Sequence, residues 1–294
     1  MFIFCSLFLT LDMTYLLLAT LFYSINDFLW SQYAKKDDFL SLINKRSMFT
    51  TLFVGVLFVV YSKDLGLILE GYNSLKILLV SSIGFLGLCL LVKGFLYGSL
   101  IQFCVYILLT TSIVGLVSSY KYFLSFYEII PSLVFIGLGY LYFIVVHTKE
   151  AGNHNHPVKS HLYFIAAQLL FIVLVIQQYE YLALFEAVDI AFYQEFTVLL
   201  LSSILLLFKK KNTPQVKTPI RWREFALIAL PISIAQLSNL QGLQLTNPFY
   251  EKLFGLLGPL LSVVLAMIFA KERHQTKTYV AFVMMLIGYY LLQI

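Results

Sequence analysis

Ten apolar stretches, most of them near the roughly 20 residues that carry a helix across a bilayer, occupy almost the whole sequence and leave only short polar connectors. They fall at 13–33, 47–62, 75–96, 98–118, 125–146, 161–179, 187–208, 224–243, 248–270 and 276–293, and the second is the shortest. The chain is 60% hydrophobic and 12% charged with a mean hydropathy of +0.87, whereas soluble domains carry roughly a quarter charged residues. That much apolar surface cannot be kept from water by folding alone. The runs are continuous and do not alternate, which favours helices over a β-barrel. Connectors of at most about fifteen residues are too short to bury a core of their own. The expected fold is therefore all-α: a multi-pass protein of the cell's inner (plasma) membrane with ten transmembrane helices.

Most minor features have bland readings. The opening Met1–Leu11 run lacks a basic flank and a small-residue cleavage site, so it fits a signal peptide poorly. Either Met13 is the true start of a clean span or the N-terminus lies at the interface. Cys5, Cys89 and Cys104 sit in apolar runs and read as small buried hydrophobes. Trp30 and Trp222 fall at span ends, where interfacial aromatics belong. The 20 Tyr and 27 Phe exceed what interfacial belts require, so some must pack or line something inside. His147, His154, Asn155, His156 and His161 surround one connector, but no ordered element fixes them and only Glu150 is a nearby carboxylate. They are read as a polar loop and not as a metal site.

The charges are ordered along the chain. Of the 20 Lys and Arg, all but Lys63, Lys76, Lys121 and Lys252 flank connectors that follow odd-numbered spans, with Lys35, Lys36, Lys45 and Arg46 in the first of them. Such asymmetry marks one face as cytoplasmic and gives no sign of nucleic-acid binding. Corresponding loops of the two halves have opposite character. The connector after span 1 is basic while 180–186 carries Glu180 and Glu186; the connector after span 2 is nearly neutral while 209–223 is strongly basic. Two five-helix units inserted in opposite directions produce this pattern, and inverted repeats are a mark of secondary transporters with a site at the repeat interface. The expected division is a first repeat at 1–147, a His-containing connector at 148–160 and a second repeat at 161–294.

Short motifs near the ends of the halves carry a resemblance. Lys93-Gly94-Phe95-Leu96-Tyr97-Gly98-Ser99-Leu100 joins spans 3 and 4, and an apolar span runs on to Tyr120-Lys121. In the second half Pro259-Leu260-Leu261-Ser262 leads to Ala270-Lys271-Glu272-Arg273 and then to Ile287-Gly288. This resembles the drug/metabolite transporter superfamily in its EamA-like branch of ten-helix permeases, with Pro259, Glu272 and Gly288 at the family's Pro, Glu and Gly positions. Lys121 stands where the family often has Glu, and the first half lacks the corresponding Pro. The resemblance implies a metabolite permease with both termini inside; the charge tally puts them outside, and the tally is the reading kept here.

Ionisable and amide groups within spans are the candidate site residues, because hydrocarbon penalises them. Asn26 and Asp27 lie in span 1, where a carboxylate can bind a cation, carry a proton or sit hydrated at the interface. Gln194 and Glu195 lie about two turns into span 7, with Glu186 and Asp189 expected at the wet edge. A buried carboxyl group suits proton carriage, though hydrogen bonds from a neighbouring helix offer Glu195 a structural role. Lys93 can snorkel or meet an anion. Gln168, Gln236 and Asn239 suit a cavity wall or interhelical bonding. Thr110, Thr111 and Ser112 are expected to bond back to their own helix.

The leading expectation is a secondary transporter moving a small-molecule substrate by alternating access, with a proton as one candidate coupling ion. A lipid-carrier flippase of the same fold is the alternative, and an intramembrane lipid-modifying enzyme a lesser one, since no Gly-x-Ser-x-Gly or His-Glu-x-x-His occurs. No phosphate-cradling glycine loop is present either. The reading includes no cofactor, no catalytic group and no metal; its partners are the substrate and the lipid bilayer, and the chain acts as a monomer or homodimer.

Overall fold

The computed structural model describes residues 11–33, 38–62, 71–98, 100–122, 125, 127–150, 158–208, 222–269 and 276–292. They form eleven helices: α1 Leu11–Tyr33, α2 Phe39–Tyr61, α3 Gly71–Tyr97, α4 Leu100–Tyr122, α5 Ile130–Glu150, α6 Val158–Tyr181, α7 Ala187–Phe208, α8 Trp222–Leu245, α9 Pro248–Gly255, α10 Leu257–Phe269 and α11 Thr276–Leu291. No strand occurs among the described residues. Five of these helices contain stretches long and apolar enough to cross a membrane, and Ile130–Val146 and Tyr279–Leu291 are shorter apolar segments. Exposed Leu52, Val59, Leu116 and Leu207 cover the outer surface, which only a lipid environment accommodates without penalty. The protein is a multi-pass, all-helical membrane protein.

The ten expected spans fall on these helices with end shifts of up to about five residues, and with two larger differences. The ninth span is broken in two because Pro259 has no N–H to offer the Gly255 carbonyl four residues back, so α9 stops at Gly255 and α10 restarts at Leu257. Asn247 caps α9, its side chain accepting from the backbone N–H groups of Phe249 at 2.9 Å and Tyr250 at 3.2 Å. Pro248 opens the helix where no donor is missed. The second span begins at Phe39 and not at 47, since Asp38 accepts from the Ser41 N–H at 3.1 Å and caps the first turn. That shift moves Lys45 and Arg46 out of a connector and into a helix. Arg46 is 2% exposed and thus no part of a topological charge signal.

Helix partners follow a regular scheme. α1 packs along α8 and α3 along α6; α2 meets α7, and α5 meets α11; α2 also touches α8 while α3 touches α7; α1 contacts α10 as α4 contacts α6. With α9 and α10 counted as one span, replacing every helix by the one five spans away maps this set of contacts onto itself. The close crossings depend on glycine. A Cβ on Gly288 of α11 would stand 2.6 Å from Ile136 Cγ1 and 2.9 Å from both the Ile136 nitrogen and the Ser132 oxygen of α5. One on Gly94 of α3 would lie 2.5 Å from the Phe164 ring of α6. Lipid supplies little hydrophobic drive between helices, so contact at backbone distance supplies the attraction instead.

A methyl group at the α5–α11 crossing should therefore be costly. Gly288→Ala is expected to destabilise the protein by about 1–3 kcal/mol, read as a lower midpoint of thermal unfolding in detergent. Gly137→Ala, whose new Cβ meets nothing within 4 Å, should leave the midpoint unchanged.

Candidate functional site

Four residues of α1, Tyr23, Asn26, Asp27 and Trp30, share one helical face through their spacing of three, four and seven. That face lines a central cavity of about 250 Å³. Gln168, Phe171, Leu174, Val175 and Gln178 of α6 close the facing side, and Gln194, Glu195 and Val198 come from α7. Ile232, Gln236, Asn239 and Leu240 come from α8, and Glu251, Lys252 and Gly255 from α9. Arg46 of α2, Gly84, Leu88 and Leu91 of α3, and Phe103 and Ile107 of α4 complete the wall. Both halves of the chain thus contribute to one chamber.

Its strongest polar contact joins the halves. Arg46 Nη2 donates to Glu195 Oε2 at 2.8 Å, and Thr50 Oγ1, one turn further along α2, donates to the same oxygen at 2.5 Å. The two ionic side chains are only 2% and 5% exposed. Beside them the Asn44 amide donates to Ser203 Oγ at 2.7 Å and Ser202 Oγ at 3.0 Å, extending the polar seam between α2 and α7. On α9, Lys252 Nζ lies 3.2 Å from Glu251 Oε2. Gln178 donates to Gln194 at 2.7 Å, and Thr110 to Gln168 at 2.8 Å while also bonding back to the Tyr106 carbonyl. Thr111 and Ser112 bond back in the same way. Three amide atoms on the wall, Asn26 Oδ1 and both Nε2 and Oε1 of Gln236, are buried without a partner among the described residues.

Seven of the eight candidates named from the sequence, Asn26, Asp27, Gln168, Gln194, Glu195, Gln236 and Asn239, face this cavity. Lys93 is not on its wall; its Nζ sits 4.8 Å from the centroid of the Phe39 ring, joining the end of α3 to the start of α2. Asp189 is fully buried instead of lying at a wet edge, with its carboxylate accepting from the Glu186 N–H at 3.3 Å at the start of α7. Among the described residues no three His, Cys, Asp or Glu side chains gather as a metal site; His154, Asn155 and His156 lie outside the described residues, as does Glu272. Sequence reasoning missed Arg46. The signal was the shortness of a second span begun at 47: extended upstream to a capping Asp38, the helix takes in the arginine.

A buried pair of this kind is costly to break from one side. Arg46→Met should lower stability by about 3–5 kcal/mol by stranding Glu195, whereas adding Glu195→Met should restore much of it. A double-mutant cycle of unfolding free energies in detergent checks this.

Comparison with known proteins bears on the fold and on the second half. Residues 158–294 match the model of the EamA-like transporter family. One crystal structure of another protein aligns over 96% of this chain and 96% of its own, with a TM-score of 0.75 at 11% identity. Likeness at that identity shows the fold alone. No curated protein matches the chain.

Proposed function

We propose that this membrane protein, whose residues 158–294 match the EamA-like transporter family, is a secondary transporter that carries a small molecule by alternating access. The observation that carries the reading is the chamber itself: a mainly apolar cavity set with a few charged and amide side chains, walled by residues from both halves. Polar groups in such a setting cost several kcal/mol each unless a ligand or a partner satisfies them. Asn26 Oδ1 and the Gln236 amide have no such partner among the described residues, which suits a site that completes its hydrogen bonds with cargo. At about 250 Å³ the chamber falls below the roughly 300–1,000 Å³ of drug-sized pockets and suits a metabolite.

Two inverted five-helix repeats supply the moving parts in this reading. Support comes from the larger helix contacts, which exchange onto themselves when the halves are swapped although several smaller ones do not, and from the opposite charge of corresponding loops. An odd number of helices per unit reverses the second copy, so the seam becomes the natural axis of rocking. The α2–α7 contact, with its Arg46–Glu195 pair, lies on that seam. It acts as the pivot that stays closed while the other contacts open on either face in turn. Glu195 is then a positioning group for Arg46, and Asp27 is the carboxylate left to interact with cargo or a coupling proton.

The test is access to the chamber from the two sides. With Gln236→Cys in a background where Cys5, Cys89 and Cys104 are replaced, a membrane-impermeant thiol reagent should label the protein in sealed proteoliposomes from outside and, when trapped, from within. Labelling from one side alone under all conditions rejects alternating access. Translocation of a fluorescent lipid by the same vesicles would favour a flippase.

A further inference from the structure

The charges around the chamber do not cancel. Among the described residues its wall carries five ionisable carboxylate or basic groups: Asp27, Arg46, Glu195, Glu251 and Lys252. Arg46 is held by Glu195 at 2.8 Å, and Lys252 by its neighbour Glu251 at 3.2 Å. Asp27 has neither a hydrogen bond nor an ion pair with any described residue and is the one carboxylate left over.

We infer that Asp27 is the counter-ion for a small organic ammonium compound bound in the central chamber, with Trp30 and Tyr23 forming the aromatic part of its cradle. Three observations converge. The uncompensated charge is negative, and a carboxylate in a low-dielectric pocket attracts a cation far more strongly than it does in water. Trp30 lies one turn after Asp27 on the same cavity face and is 2% exposed, while Tyr23 lies one turn before it; aromatic faces within about 6 Å attract ammonium groups by cation–π interaction. The 5%-exposed Gln236 and 4%-exposed Asn26, with their unpartnered amide atoms, offer both donors and acceptors to a polar body attached to the ammonium. An anionic cargo meets no free cation here, because both basic groups on the wall are already paired. A neutral cargo leaves the Asp27 charge uncompensated.

The inference rests on the transporter reading only for the passage of the ligand, so binding is measured apart from transport. Trp222→Phe leaves Trp30 as the sole tryptophan of the chain, and its emission reports occupancy of the chamber in purified, detergent-solubilised full-length protein. The probes are tetramethylammonium, choline, ethanolamine and putrescine at constant ionic strength. The controls are sodium chloride and the uncharged carbon isostere of choline, dimethylbutanol. At least one ammonium probe should shift the Trp30 emission saturably, and dimethylbutanol should bind tenfold or more weakly. Asp27→Asn should weaken the ammonium probe by tenfold or more, and Asp27→Glu should keep most of the affinity. Comparable binding of dimethylbutanol, an equal response to sodium, silence of all four ammonium probes, or undiminished affinity in a folded Asp27→Asn protein each overturns the inference. Saturable, Asp27-dependent binding without flux in proteoliposomes would leave the site standing and remove the carrier reading. Flux of an uncharged solute with no ammonium binding would do the reverse.

Discussion

Two charges shut away from water have to find each other, and the rest of this molecule is arranged around that requirement. Arg46 and Glu195 are 149 positions apart in sequence and 2.8 Å apart in space. Removing either from water costs several kcal/mol, which the pair recovers only with good geometry and further hydrogen bonds. Thr50 provides one such bond, and the Asn44–Ser202–Ser203 contacts continue the seam. Together they fix the rotation of α2 and α7 about their own axes. Once that rotation is set, Gln194, which precedes Glu195, is turned toward the chamber to meet Gln178.

The remaining contacts obey a different rule. Where no polar seam exists, helices meet through absent side chains: Gly288 against Ile136 at one crossing and Gly94 beneath Phe164 at another. Such contacts are close, directional in register and almost wholly apolar, as expected where lipid competes on equal terms for hydrophobic surface. Tight crossings at the periphery and a polar seam between α2 and α7 leave the centre open. The chamber is lined by groups that cannot all satisfy one another, and its amides are therefore divided between those bonded across helices, Gln178, Gln194 and Gln168, and those still unpaired, Gln236 and Asn26. A site that stayed fully satisfied without cargo would have little reason to bind any.

Much of this was legible in the sequence. The helical stretches, and the choice within them of seven polar residues that prove to line one chamber, followed from hydropathy and from the cost of polar groups in hydrocarbon. Two errors have clear causes. Arg46 was assigned to a connector because a basic residue beside Lys45 reads as a span boundary when its partner lies half the chain away. Asp189 was placed at a wet edge because its role at the start of α7, accepting from the Glu186 N–H, depends on where that helix begins. Lys93 was a fair candidate by position, but its ammonium is held over Phe39, a contact that no local pattern encodes.

What the sequence determined alone was the solvent and the element type. Hydrocarbon leaves backbone N–H and C=O groups no partners outside their own helix, so a run of apolar residues long enough to span has one stable form. Pairing was another matter. Which polar residues face each other depends on the azimuth and register of helices far apart in the chain, set by glycine crossings and one buried ion pair. Only the tertiary structure could decide that Glu195 has a partner in the chamber wall while Asp27 has none among the described residues.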